Sequence, residues 1–160
     1  MPDFRRDLPA TLQPYLEACD LILHAGDVTQ AYVLDELREH APVVAVLGNL
    51  DGADVAAWGA LEEATPEVDG VRLAMIHDAG RAAGREERMR RRFPEARLVV
   101  FGHSHIPVIR HVEGVTFLNP GSPTWKRREP HPTVAIAHLA PGEVRVELVE
   151  LQPDPRPGGR

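Results

Sequence analysis

Disulfides, membrane spans and a basic surface are all missing from this 160-residue chain, and each absence removes a class of protein. Cys19 is the single cysteine, so no internal disulfide can form, which fits a reducing, cytoplasmic setting. No apolar run approaches the ~20 residues needed to cross a bilayer, so no membrane association is expected. The first residues lack the charged, apolar, then small-residue order of a secretory leader. The formal net charge is −6, and a field of that sign repels a phosphate backbone, so nucleic acid is a disfavoured partner. No internal repeat is visible. What remains is 43% hydrophobic and 26% charged, the balance of an ordinary globular protein at single-domain length. One domain is expected over residues 1–151, with a Pro- and Gly-rich tail over 152–160 that frays into solvent.

Hydrophobic periodicity places the elements. Leu8, Leu12, Tyr15 and Leu16 mark a short amphipathic helix over Pro9–Ala18. Asp20–His24 reads as a strand, with Gly26-Asp27 turning out of it. Thr29 is read as the N-cap of a helix from Gln30 to His40, which Pro42 ends. Val43–Leu47 is a continuous apolar run, as suits a strand covered on both faces. Asp54 is read as the cap of a helix running through Leu61. Glu67–Asp69 and Val71–Ile76 form a hairpin around Gly70, and Ala82–Phe93 is a charged helix that Pro94 terminates. Strands follow at Val99–Gly102, Val108–Val112 with Val115–Leu118 around Glu113-Gly114, and Thr133–His138 with Val144–Leu151. Alternating strands and helices come first and antiparallel hairpins later, which suggests two packed sheets with helices outside.

Polar residues close the apolar strands. Asp27 follows Leu21-Ile22-Leu23, Asn49 follows Val43–Leu47, His77 follows Leu73–Ile76, and His103 and His105 follow Leu98–Phe101. In an α/β sheet the strand ends on one side open into a single crevice, where ligands bind. Alternate residues of an extended segment point the same way, so His103 and His105 can face that crevice together. Singly, each has a plain structural explanation: Asp27 and Gly48-Asn49-Leu50-Asp51 make good turns, and His77 can be a satisfied core histidine. Jointly, one carboxylate, one amide oxygen and three imidazoles form a plausible site for two transition-metal ions.

The ordered series Gly26-Asp27, Gly48-Asn49-Leu50-Asp51, His77, Gly102-His103-Ser104-His105 and Asn119-Pro120-Gly121-Ser122 resembles the calcineurin-like metallophosphoesterases. It is most similar to their small bacterial and archaeal phosphodiesterase branch, over residues 7 to 150. The resemblance implies an α/β fold, a four-layer α/β/β/α sandwich of two mixed sheets. It also implies a phosphodiesterase of small phosphodiester substrates, with a metal-bridging hydroxide as nucleophile. Asp27 matches the carboxylate that bridges both ions; Asn49, His77 and His103 match the other ligands of the second ion; His105 matches a ligand of the first. The ions would be two divalent transition metals, manganese first, with iron, zinc or nickel fitting the same donors. Small members often form homodimers, so a second copy is a possible partner.

The family opens with a strand ending in Asp-x-His, whereas residues 1–7, Met-Pro-Asp-Phe-Arg-Arg-Asp, resemble the loop after it. The fold is therefore expected to lack its first strand, and a strand ending in Asp-x-His is expected upstream of Met1. The alternatives to an enzyme are a non-catalytic metal-binding or protein-interaction scaffold on the same fold, as in the family's retromer subunit, or an inactive truncated product. Leu50 stands where the wider family often has a leaving-group histidine, which favours the small phosphodiesterase branch. Asp51 is read either as a residue orienting a metal ligand or as a cap for the next helix. Ser122 is read either as a phosphate-binding hydroxyl or as part of a tight turn beneath His103. Arg81 and Arg85 follow His77 closely enough to reach a phosphorylated substrate, although a run of arginines is ordinarily a solvated helix face.

Overall fold

The computed structural model describes residues 8–124 and 129–152. The stretch expected to resemble a post-Asp-x-His loop, residues 1–7, and most of the expected tail, residues 153–160, lie outside the described residues. A 3-10 turn, Ala10–Leu12, leads into α1, Gln13–Ala18. The order then runs β1 Ile22–His24, α2 Ala31–Arg38, β2 Val43–Ala45, α3 Ala53–Trp58, β3 Glu63–Ala64, β4 Glu67–Val68 and β5 Val71–Ile76. After α4, Arg85–Arg92, come β6 Leu98–Val100, β7 Val108–Val112, β8 Val115–Asn119, β9 Thr133–Ala140 and β10 Glu143–Glu150.

Three apolar clusters sort these elements into four layers. Leu12 of the 3-10 turn and Leu16, Leu34, Leu37 and Val55 from α1–α3 pack with Ile22 and Val43 of the β1–β2 pair and Val134 of β9. The opposite faces of those strands, through Leu23, Val44 and Ala135, meet Leu73, Met75, Leu98, Val100 and Leu118 of the large sheet. That sheet's far face, Ala74, Val99 and Phe117, is covered by Met89 of α4 and Phe93 just after it. The sequence therefore folds as an α/β/β/α sandwich, and the near-continuous apolar strands follow from burial on both faces.

The large sheet has the order β3-β5-β6-β8-β7, with β4 pairing β5. It is mixed: β5, β6 and β8 are mutually parallel, and the remaining pairings are antiparallel. Among the described residues the second layer is not one sheet. It consists of a parallel pair, β1–β2, and a separate antiparallel hairpin, β9–β10. Two turns show why the hairpins were legible. Asp69-Gly70 and Glu113-Gly114 both have positive φ (49° and 76°, 48° and 80°), as two-residue type I′ connections require.

Several boundaries differ from expectation for identifiable reasons. Thr29 does not cap α2. Its φ is +72°, and its N–H is drawn to Asp51 Oδ1 at 2.7 Å, so the helix starts at Ala31. The cap arrives from elsewhere: Asp54 Oδ2 accepts the Ala31 N–H at 2.9 Å. Asp54 accordingly caps a neighbouring helix, while its own helix, with Gly52 at the N-cap position, has no side-chain cap. The charged helix starts at Arg85 rather than Ala82, because the Arg88 guanidinium donates to the carbonyls of Ala79, Arg81 and Ala83 and holds that segment as a loop. β2 stops at Ala45, beyond which Val46 bridges Leu61 and the chain turns at Gly48.

Candidate metal centre

The carboxyl ends of β1, β2, β5 and β6 deliver Asp27, Asn49, His77 and His103 to one place. His77 ends β5 and is nearly buried. Its Nδ1 lies 2.6 Å from the Ala25 carbonyl oxygen, which can only accept, so Nδ1 carries the proton and donates. Nε2 is left facing Asn49 Oδ1 at 3.0 Å and Asp27 Oδ2 at 3.3 Å. Asn49 Oδ1 also lies 3.1 Å from His103 Nδ1. The two imidazoles meet edge to face, centroids 5.3 Å apart and planes 86° from parallel.

This donor set suits a cation. In the neutral ring, the Nε2 lone pair faces two oxygen acceptors, an arrangement that a cation among them turns from repulsive to attractive. Among the described residues, no three His, Cys, Asp or Glu side chains by themselves gather into a metal-binding group. The Asn49 oxygen is what joins the Asp27–His77 pair to His103. A carboxylate, an amide oxygen and two imidazoles fit a borderline transition-metal ion, so the residues present fit the group expected there.

The backbone is bent to bring these atoms together. Asp27, His103 and His105 have φ of +59°, +68° and +61°, a left-handed region that Asp and His enter more readily than most residues. Asp51 holds the first bend. Its Oδ2 accepts from the N–H groups of Asp27 (2.9 Å) and Gly48 (2.8 Å), and its Oδ1 from Thr29. It thus positions the loop carrying Asp27 and does not cap α3. Asp27 Oδ1 in turn accepts the Leu50 N–H at 2.9 Å, leaving Oδ2 toward His77. Gly48 is required here, since a Cβ on it would stand 2.2 Å from Asp27 Oδ1.

His105 lines the same groove as Asp27, His77 and His103. Ser122 lines it too; its carbonyl accepts the Thr133 N–H and its Oγ accepts the Thr124 N–H, so it belongs to a tight turn bordering the centre. Arg81 is exposed and does not line this groove, and the Arg85 guanidinium lies over the Phe101 ring at 4.7 Å instead. His24 sits behind the centre, where its Nδ1 accepts the Gly26 N–H at 3.2 Å. Desolvation pushes its pKa below the ordinary 6.5, against the opposing pull of the Asp51 and Asp27 charges.

Sequence reading missed Asn119. It is fully buried, and its Nδ2 donates to the Gly102 carbonyl (3.0 Å) and Ser104 Oγ (3.1 Å), while Oδ1 accepts the Gly121 N–H. It braces the turn that presents His103 and His105. Its position before Pro120 made it read as a turn former, and only the strand register of β8 against β6 shows what its side chain reaches.

The calcineurin-like phosphoesterase superfamily domain model matches residues 4–142. A probable metallophosphoesterase of Methanothermobacter thermautotrophicus is 32% identical over 154 residues, covering 93% of this chain and 86% of that one. The crystal structure of Vps29 complexed with zinc, from Entamoeba histolytica, superposes with a TM-score of 0.71 at 21% identity, covering 89% of each chain. A structure described as a novel archaeal phosphodiesterase superposes with a TM-score of 0.68 at 21% identity, covering 87% of this chain and 92% of that one. The strand-end placement of Asp27, Asn49, His77 and His103 and the family match over most of the sequence agree: this chain belongs to the calcineurin-like phosphoesterase superfamily.

Proposed function

We propose that the chain is a metal-dependent phosphoesterase acting on small phosphodiesters. The observation that supports this best is the convergence of Asp27 Oδ2, Asn49 Oδ1 and His77 Nε2, linked to His103 Nδ1 through the Asn49 oxygen, with His105 on the same groove. Asn49, His77 and His103 would hold one ion, Asp27 would be shared, and His105 would serve the other. Ions held there supply Lewis-acid stabilisation of charge on phosphate oxygens and lower the pKa of water, so that a nucleophile is available near neutrality. The protein's own part is positional. Ala25 fixes the His77 tautomer through its carbonyl, Asp51 fixes the Asp27 loop, and Asn119 fixes the His103–His105 turn. Ser122 lines the same groove as His103, and its hydroxyl would bind a phosphate oxygen of the substrate there. The likeness to an archaeal phosphodiesterase supports a diester over a monoester substrate, and the zinc-bound Vps29 supports a divalent ion in this fold. Manganese, with iron, zinc or nickel as substitutes, is our choice of metal.

A scaffold reading is favoured by one observation: among the described residues that meet at this groove, Asp27 and His105 are the two left for the first ion. Hydrolysis of an aryl phosphodiester with added Mn²⁺ separates the two. An active protein whose His103→Ala variant loses on the order of 100-fold or more in rate supports the enzyme. A folded protein that binds Mn²⁺ calorimetrically but turns over no diester supports the scaffold.

A further inference from the structure

A second cavity, of ≈ 430 Å³, opens at the pole of the sandwich opposite the metal centre. The parallel strands β5, β6 and β8 lead to His77, His103 and Asn119 at their carboxyl ends; their amino ends, at Val71, Arg97 and Val115, border this cavity instead. The β9–β10 turn, through Gly142 and Glu143, borders it from the second layer. It shares no lining residue with the groove of the metal centre. Arg97 is fixed in the large sheet by its main chain, whose N–H donates to the Arg72 carbonyl (2.8 Å) and whose carbonyl accepts the Thr116 N–H (2.9 Å). Its guanidinium lies near the Glu113-Gly114 turn, where a Cβ on Gly114 would stand 3.8 Å from Nη2. The carboxylate of that turn is already taken, since Glu113 pairs with Arg90. Neighbouring arginines are paired too, Arg72 with Glu67 and Glu95, Arg110 with Glu86. The Arg97 guanidinium has no ion pair or hydrogen bond among the described residues. His111 lines the same cavity, with its Nδ1 2.9 Å from Oγ1 of the buried Thr116. Glu143 lines it as well and does not pair with Arg97.

We infer that this cavity is a binding site for a small organic molecule with a phosphate or carboxylate at one end and an amino or hydroxyl group at the other. Its volume falls within the range of small-molecule sites, about 300–1,000 Å³. Arg97 takes the anionic end, because the planar guanidinium can donate to two oxygens of a phosphate or carboxylate at once, with the anchored His111 ring as the second polar side chain. Gly70, Gly114 and Gly142 supply further donors. Each stands in a turn just outside the ladder pairs Val68↔Val71, Val112↔Val115 and Ala140↔Glu143, so its N–H is not spent on a strand. Glu143 accepts from the donor end and repels a molecule that is anionic along its whole length, which makes the site selective as well as attractive. A lone arginine on a convex surface would mean only solvation. Arg97 differs because its backbone is held in the sheet and its cavity is walled by turns from both layers.

This inference does not depend on the phosphoesterase reading, and its test records neither metal nor turnover. The isotope-labelled protein is titrated separately with adenosine monophosphate, glutamine and tripolyphosphate while its backbone amide resonances are followed. Saturable shifts of the Gly70, Gly114 and Gly142 amides are expected with adenosine monophosphate or glutamine, while the Asn49 and His103 amides stay in place. Which of the two binds tells a phosphate site from a carboxylate site. Arg97→Gln is expected to weaken that binding roughly 10-fold or more, since hydrogen bonds to charged groups are the strong ones. Glu143→Gln should weaken it less and let tripolyphosphate bind. Both side chains are exposed, so the substitutions leave the core untouched, and each variant's amide dispersion reports that it is folded. No saturable shift with either organic probe overturns the inference, as does equal affinity in the parent and Arg97→Gln. Shifts confined to Asn49 and His103 overturn it too, because they return the ligand to the metal centre. Tripolyphosphate binding the parent more tightly than both organic probes would overturn the two-ended ligand.

Discussion

Asp51 links Gly48, Asp27 and Thr29 through their backbone N–H groups, so its removal leaves three donors without their acceptor at once. Hydrogen bonds to an ionised group contribute more than neutral ones, and two of these are partly buried. Asp51→Ala is expected to lower stability by about 2–3 kcal/mol in urea denaturation. It should also weaken Mn²⁺ binding on the order of 10–100-fold by calorimetry, because the Asp27 loop relaxes. His24 makes a different prediction. Its folded pKa lies below its ordinary 6.5, so the unfolded chain takes up the proton first. The stability associated with the neutral ring is fully present above 6.5 and is lost as pH falls below it. Denaturation midpoints between about pH 7.5 and pH 5 should therefore fall more steeply for the parent than for His24→Gln. A parallel pair of curves would show that the ring does not carry this dependence.

At the scale of elements, the least legible feature was which residue caps which helix. Thr29 and Asp54 each stand in sequence where a cap belongs, yet Thr29 is claimed by Asp51 and Asp54 crosses to the N-terminus of α2. A cap is a contact with an N–H group, and local sequence cannot tell whether that N–H lies in its own helix or a neighbouring one. Asp54→Ala is expected to destabilise the fold by about 1 kcal/mol, with amide exchange rising in Ala31–Arg38 before it rises in Ala53–Trp58. The reverse order would place the cap on α3. The hairpins at Asp69-Gly70 and Glu113-Gly114 were legible for the opposite reason, since a two-residue turn and its flanking strands are local.

For the whole molecule, a ligand that binds only the folded state stabilises it by mass action. Mn²⁺ at 100 times its dissociation constant would add about 2.7 kcal/mol. For a chain of this size that corresponds to a rise in Tm of roughly 5–10 °C, readable by differential scanning fluorimetry. His103→Ala should abolish most of the rise while leaving the metal-free Tm close to the parent's, because His103 is exposed and outside the apolar clusters. An equal rise in both proteins would move the ion away from His103.

The sequence by itself determined the strand-end position of Asp27, Asn49, His77 and His103, because apolar runs closed by Gly, Asp, Asn and His are local patterns. It determined the family as well, through motifs in a fixed order. Only the tertiary structure decided that Asn119 braces the His103 turn and that Asp51 clamps Asp27, as each contact joins residues more than a dozen apart in sequence. It also decided that the second layer stands as two pairs facing a groove. Strand pairing depends on which edges meet, and among the described residues β1 pairs with β2 and β9 with β10 rather than with each other.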